Sequence, residues 1–164
     1  MNSHGSSTGP PACEFDSDKL ILQVDALVES RIDAVSPVAD RLMHLLKKTC
    51  CPPEQEFAVE TALREALANA ILHGNRQDPK KKVRVCCACD PIHGVLIVVK
   101  DEGDGFDPAR IPSPIGGESI YSEHGRGIYL INLLMDEVQF VRGGTEIYMR
   151  KSDRRPIKVQ RKEW

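Results

Sequence analysis

The chain has 164 residues, enough for one compact domain with a buried core and too few for two full domains. Lys and Arg number 22 and Asp and Glu 24, so the net charge of −2 argues against direct nucleic-acid binding. With 4 Phe, 3 Tyr and 1 Trp, the core must be aliphatic and a base-stacking surface is not expected. No apolar run approaches the roughly 20 residues of a membrane helix, and the N-terminus lacks the apolar segment of a secretory signal. We therefore expect a cytoplasmic protein without a membrane partner.

The first third of the chain predicts an arm, a strand and a helix. Residues 1–18 are rich in Ser, Gly and Pro, offer little to bury and are predicted to be a flexible arm. From Lys19 the chain becomes apolar, which predicts an edge strand. Residues 29–48 carry aliphatic side chains at spacings of three and four, which predicts an amphipathic helix with Pro37 in its first turn.

The clearest helix runs from Glu54 to about His73. Five aliphatic positions recur at helical spacing and predict one buried stripe: Leu63, Ala66, Leu67, Ala70 and Ile71. Gly74 and Asn75 follow, and this pair predicts a left-handed stop at the end of the helix.

The rest of the chain predicts two hairpins separated by a loop and a helix. Alternating side chains at 83–89 and an apolar run at 95–99 predict two paired strands joined by a turn. The remaining predicted elements are a long loop at 103–123 of the length that is usually functional, a helix at Gly127–Leu134, a hairpin of 138–141 with 146–149, and a basic tail at 151–164.

This order of elements predicts an α+β fold for residues 19–150. The expected architecture is a two-layer α/β sandwich, in which a mixed, mostly antiparallel sheet carries its helices on one face. The other face would be open or would meet a partner.

Six cysteines raise the question of disulfides or zinc: Cys13, Cys50, Cys51, Cys86, Cys87 and Cys89. Disulfides are not expected in a reducing compartment. The C-C and C-C-x-C spacings do not match two separated C-x₂-C pairs, so zinc is not expected either. We predict buried or incidental thiols that pack as small hydrophobic side chains.

A polar flank accompanies the buried stripe of the long helix. Glu65, Asn69 and His73 fall along one side of it. Asn has a poor helix propensity, so its place in the middle of a helix calls for a reason. A solvent-exposed flank would also account for Glu65 and Asn69. At the end of the helix, we expect His73 to be exposed and Asn75 to cap the helix.

Two glycine-containing motifs follow. Asp101-Glu102-Gly103-Asp104-Gly105 ends an apolar strand, where glycines let the backbone turn and approach a flat ligand, or form a plain turn. His124-Gly125-Arg126-Gly127 opens a helix, where bare N–H groups can bind phosphate or simply give a flexible helix start.

In this order, the three motifs resemble those of the GHKL ATPase superfamily, which includes gyrase and histidine kinases. EALANAILHGN at 65–75 resembles the N box, DEGDG at 101–105 the first glycine box, GRG at 125–127 the second, and Gly144-Thr145-Glu146 the last element. The resemblance covers about 26–150 and implies the Bergerat ATP-binding fold. It is strongest to the small anti-sigma serine/threonine kinases, which control bacterial sigma factors by partner switching.

The resemblance implies a role for each matched residue. Glu65 would be the catalytic base toward a serine hydroxyl, and Asn69 would ligate Mg²⁺ through its amide oxygen. Asp101 would accept a hydrogen bond from the adenine amino group. The loop between the glycine boxes would be the ATP lid. The other nucleotide contacts would fall on Gly103, Gly105, Gly125, Arg126, Gly127 and Thr145.

The implied activity is phosphorylation of a serine on an anti-anti-sigma (STAS-type) protein, with ATP and Mg²⁺ as cofactors. A sigma factor is the second implied partner, and a homodimer is implied as well. Sporulation-type members have an Arg where this chain has Glu123, so Arg126 is the candidate for contact with the γ-phosphate. This departure keeps an alternative open, an ATP-binding module that sequesters its partner without phosphate transfer. The catalytic half of a sensor histidine kinase is disfavoured, because no sensor segment or dimerisation hairpin is apparent.

Overall fold

The computed structural model describes residues 19–107 and 123–152, without the side chains of Glu123 and His124. Three predicted segments lie wholly or largely outside the described residues: the arm at 1–18, residues 108–122 of the long loop, and residues 153–164 of the basic tail.

Five strands form one sheet: β1 (Leu22–Glu29), β2 (Lys82–Asp90), β3 (Gly94–Lys100), β4 (Glu137–Val141) and β5 (Glu146–Lys151). Their order is β1-β2-β3-β5-β4, and all four described pairings are antiparallel. The α+β prediction is therefore confirmed, as are the edge strand and both hairpins. The sheet is not mixed, since the described part of it contains no parallel pair.

Three helices cover one face of the sheet: α1 (Val35–Thr49), α2 (Pro53–Asn69) and α3 (Glu123–Leu134). A short 3₁₀ turn at Ile32–Ala34 leads into α1, and Pro37 lies in the first turn of α1 as predicted. Pro53 begins α2, at a position whose N–H has no partner within a helix in any case. Within the described ranges, no helix is long and apolar enough to cross a membrane.

The core lies between the helices and the sheet and is aliphatic, as expected. The predicted stripe of α2 is buried, and Leu63, Leu67 and Ile71 are completely so. They belong to one cluster with inward-facing side chains of β2 and β3, including Val85 and Val99. Burial of this stripe places the polar flank of α2 at the edge of the core.

The end of α2 differs from the prediction. The helix continues as a π turn over Ala70–Gly74, and Asn75 has an ordinary φ of −80°. The left-handed residues are instead Arg76 and Gln77, with φ of 52° and 56°. The backbone N–H of Gln77 donates to the carbonyl of Ile71 at 2.9 Å, which closes the helix end. The predicted left-handed stop at Gly74 and Asn75 is therefore wrong.

A disulfide joins Cys50 to Cys89 and contradicts the prediction that the cysteines are unbonded thiols. It links the end of α1 to β2, and spacing alone could not reveal it because the partners lie on separate elements. Cys51, Cys86 and Cys87 are free. Burial raises the thiol pKa of Cys51 to about 11 and that of Cys87 to about 12. These two cysteines behave as predicted, as buried thiols with little thiolate character.

Removing the disulfide should lower stability substantially. The bond closes a loop with a sequence separation of 39 residues, for which the chain-entropy model gives about 4 kcal/mol. We expect the double variant Cys50→Ser/Cys89→Ser to unfold at clearly lower urea concentration than the wild type, with Cys86→Ser as the control. A thiol titration under denaturing conditions should find two fewer thiols in the unreduced protein than in the reduced protein. Equal counts would contradict the bond.

Candidate functional site

Helices α2 and α3 meet at the polar flank of α2. A Cβ on Gly127 would lie 2.7 Å from Oε2 of Glu65 and 3.2 Å from Nδ2 of Asn69. The missing side chain therefore lets the backbone of α3 approach both polar groups, which are half-buried. Glu65 and Asn69 thus face a neighbouring helix rather than open solvent, and the N-box motif adjoins the second glycine motif.

Asp101 directly follows β3 and lies against the other end of the N-box segment. A Cβ on Gly74 would lie 2.4 Å from Cγ of Asp101, and one on Gly103 would lie 2.1 Å from the carbonyl oxygen of Gly74. The Asp101 backbone N–H donates to the Thr145 carbonyl at 2.9 Å. Its Oδ1 accepts a hydrogen bond of 2.8 Å from the N–H of Gly103. Asp101 is held in place by this turn and by Thr145, the residue before β5.

Burial determines the acidity of Asp101. The residue is 9% exposed, and desolvation raises the pKa of its carboxyl above the ordinary value, although the hydrogen bond from Gly103 lowers it. A carboxylate kept dry at the end of a strand is a strong acceptor for one well-placed donor.

At Gly105, the first glycine motif packs against residues 142–145, which connect β4 to β5. Its φ is +76°, and a Cβ there would lie 2.0 Å from the carbonyl oxygen of Gly143. The next N–H, that of Phe106, donates to the same carbonyl at 2.9 Å. Only glycine meets both the positive φ and this close approach.

A cavity opens between α2, α3 and the sheet, and four of the predicted site residues line it: Asn69, Asp101, Gly105 and Thr145. Most of the remaining wall is apolar, made by Ala66, Ala70, Val99, Phe106, Ile128, Ile131, Phe140 and Ile147. His73 is exposed, as expected, and also lines the cavity. The other predicted site residues lie outside this lining, and one of them, Arg126, is exposed: Glu65, Gly103, Gly125, Arg126 and Gly127.

Asn75 has a role that the sequence analysis missed. The side chain is 1% exposed. Its Nδ2 donates to Oγ of Ser30 at 2.8 Å and to the Lys82 carbonyl at 2.9 Å. Its Oδ1 accepts a hydrogen bond of 2.7 Å from the N–H of Glu102. Asn75 therefore joins β1 and β2 to the residue after Asp101, and no local pattern signals contacts made with three separate segments.

Replacing Asn75 by Ala should destabilise the protein by about 2–4 kcal/mol, because it leaves buried groups without their partners. Urea unfolding followed by circular dichroism measures this. Asn132→Ala is the matched control, since Asn132 is exposed on α3 and donates only to the Ile128 carbonyl of its own helix. We expect the control to change stability by less than about 0.5 kcal/mol. Equal effects of the two substitutions would contradict a supporting role for Asn75.

Comparison with known proteins agrees with this geometry. The family model of the histidine kinase-like ATPase domain matches residues 28–151. The chain belongs to this family. Among curated relatives of this ATPase domain, the anti-sigma F factor of Oceanobacillus iheyensis is 31% identical over 99 residues, covering 57% of this chain and 66% of the relative. Those of Geobacillus thermodenitrificans and Heyndrickxia coagulans are 32% and 33% identical over 100 and 98 residues, each again matched over 66% of its own length. The sequence-based resemblance is therefore confirmed at the level of the family.

The residues of the ATPase domain suit a nucleotide and a magnesium ion. Asp101 supplies an acceptor inside a mostly apolar cavity, which matches a base that carries an amino donor. Asn69 supplies one oxygen, and Mg²⁺ at nucleotide sites takes only one or two ligands from the protein besides phosphates and waters. The individual roles of the site residues stay predictions.

Proposed function

We propose that the protein is an ATP-dependent serine/threonine kinase acting as an anti-sigma factor. It would phosphorylate a serine of a STAS-type anti-anti-sigma antagonist and bind a sigma factor in the alternate state. The observation that carries this proposal is the juxtaposition of Glu65 and Asn69 with Gly127, beside a cavity that contains Asp101. The names of the curated relatives, all anti-sigma F factors, support the choice of partner.

In such a reaction, separate described residues would bind the base, ligate Mg²⁺ and take up the proton. Asp101 would accept the hydrogen bond of the adenine amino group, and Asn69 would give its amide oxygen to the Mg²⁺ that neutralises charge on the phosphates. Glu65 would take the proton of the serine hydroxyl. As that oxygen bonds to the γ-phosphorus, the bond from the γ-phosphorus to the oxygen it shares with the β-phosphate breaks, and ADP leaves.

The start of α3 would receive the phosphates. Gly125 lies in the first turn of α3, where helix N–H groups can face a phosphate. Gly127 lies further along the helix, and its missing side chain leaves room beside Glu65 and Asn69. Arg126 lies between the two glycines and is exposed, so it is placed to reach toward a γ-phosphate. Gly103, Gly105 and Thr145 would shape the base end of the cavity. A homodimer and a lid at 103–123 belong to the same proposal.

The test is a phosphotransfer assay with purified protein, γ-labelled ATP, Mg²⁺ and a candidate anti-anti-sigma protein, accompanied by calorimetric titration of ATP. We expect ATP binding and acid-stable phosphate on a serine of the partner. One feature favours a second candidate, a sequestering module that uses ATP only as a conformational ligand: Glu123 stands where the resemblance to sporulation-type members implies an Arg. Binding of ATP and partner without phosphate transfer would favour this module, and acid-labile phosphate would indicate a histidine kinase.

A further inference from the structure

Two of the four phenylalanines of this aromatic-poor chain lie together in the cavity wall. Phe106 and Phe140 both line the cavity, and their ring centroids are 5.2 Å apart at an interplanar angle of 73°. Such an edge-to-face pair is mutually stabilising. The sequence does not predict this pair, because the first ring follows β3 and the second lies on β4, on the far side of β5.

The backbone holds both rings in place. Phe106 is fixed through its N–H bond to the Gly143 carbonyl. Phe140 pairs across the strands with Ile147, another residue of the cavity wall. The connection between β4 and β5 thus links the two rings. Thr145 is the last residue of this connection, and its carbonyl accepts a hydrogen bond from the Asp101 N–H. The ring pair and the carboxylate are therefore held by the same short stretch of chain.

We propose that the Phe106–Phe140 pair is the aromatic contact for the nucleotide base. This inference rests on the proposed function, since it concerns the ligand of the same cavity. Asp101 accepts a hydrogen bond from a donor on the edge of the base, while the ring pair contacts the flat surface of the base. Every nucleotide base can stack on an aromatic ring, and such a contact contributes strongly to binding. The contact is made to the base and not to the phosphates, so its loss must weaken the binding of ATP and of ADP by the same factor.

The test is calorimetric titration of ATP and ADP into Phe140→Leu, which keeps an apolar side chain and removes the ring. We expect both dissociation constants to rise by about 5- to 100-fold, and Phe140→Tyr to bind like the wild type. Phe57→Leu is the matched control, since Phe57 is 74% exposed near the start of α2 and lies outside the cavity lining. Phe106→Leu tests the other ring, should Phe140→Leu fail to fold.

The outcomes separate this inference from the proposed function. Wild-type affinity in folded leucine variants would overturn the aromatic contact alone. A loss confined to ATP, with ADP unaffected, would also overturn it, because the rings would then act at the phosphate end. A wild-type protein that binds no nucleotide would overturn the proposed function and this inference with it.

Discussion

Glu65→Gln is expected to slow phosphate transfer to the anti-anti-sigma partner by about 10²- to 10⁴-fold while leaving ATP affinity unchanged. Glutamine has nearly the same size and keeps one acceptor oxygen, but it cannot take up the proton of a serine hydroxyl. Glu65 lies outside the lining of the cavity, so the substitution leaves the residues that contact the base in place. A large loss of transfer without a loss of binding is the signature of a base acting in the chemical step.

A matched control is available on the same helix. Glu60 lies just over one turn away, forms a partly buried ion pair with Arg64 at 2.8 Å and does not line the cavity. Because Glu60 pairs with Arg64 and does not face Gly127, Glu60→Gln should transfer phosphate at the wild-type rate. The comparison is made as initial rates with γ-labelled ATP at saturating partner. If Glu65→Gln transfers as fast as Glu60→Gln, Glu65 is not the base.

The fold was predictable because its signals are local. Spacings of three and four along 29–48 and 54–71 report which face of a helix is buried, and alternation along 83–89 reports a strand in the same way. The motifs at Glu65–Asn75 and at 101–105 predict the candidate site, since the residues of each motif lie in one contiguous segment. A motif within one contiguous segment can be recognised in the sequence without knowledge of the tertiary structure.

Features that depend on distant partners could not be predicted. Asn75 is bonded to groups 45, 7 and 27 residues away, so its neighbours in the chain predict only a helix cap. Six cysteines admit many pairings, and the approach of Cys50 to Cys89 follows from how α1 lies on the sheet. The two cavity phenylalanines meet only because β5 lies between β3 and β4. In each case the missing information is tertiary.

Asp101→Asn is expected to raise the dissociation constant of ATP by about 30- to 1,000-fold. Asparagine can still accept the hydrogen bond from the Gly103 N–H through its Oδ1, so the turn is kept. Its amide group, however, presents donors where the carboxylate offered an acceptor, and two donors facing each other in a dry cavity repel. A site built around one hydrogen bond discriminates strongly when that bond is lost.

The same substitution should not cost stability at neutral pH. Burial raises the folded-state pKa of Asp101, so the folded protein binds the proton more tightly than the unfolded chain does. The stabilisation from the protonated form is complete below the unfolded pKa and is lost as the pH rises through the folded pKa. At neutral pH the wild type therefore bears the cost of a buried charge, and Asp101→Asn removes it. Urea unfolding should find the variant as stable as the wild type or more so.

ATP affinity should decrease as the pH is lowered, whereas the contribution of protonated Asp101 to stability increases. Protonation replaces the acceptor by a hydroxyl donor, so wild-type affinity should fall as the pH is lowered through the raised pKa of Asp101, beginning at a higher pH than for an exposed aspartate. Asp104→Asn is the control, because Asp104 is exposed in the same loop. It should retain both the affinity and the pH profile of the wild type. Equal losses of ATP affinity in the two variants would assign the effect to the charge of the loop. A loss of affinity in Asp101→Asn alone, together with an affinity of this variant that does not change with pH, identifies Asp101 as the acceptor.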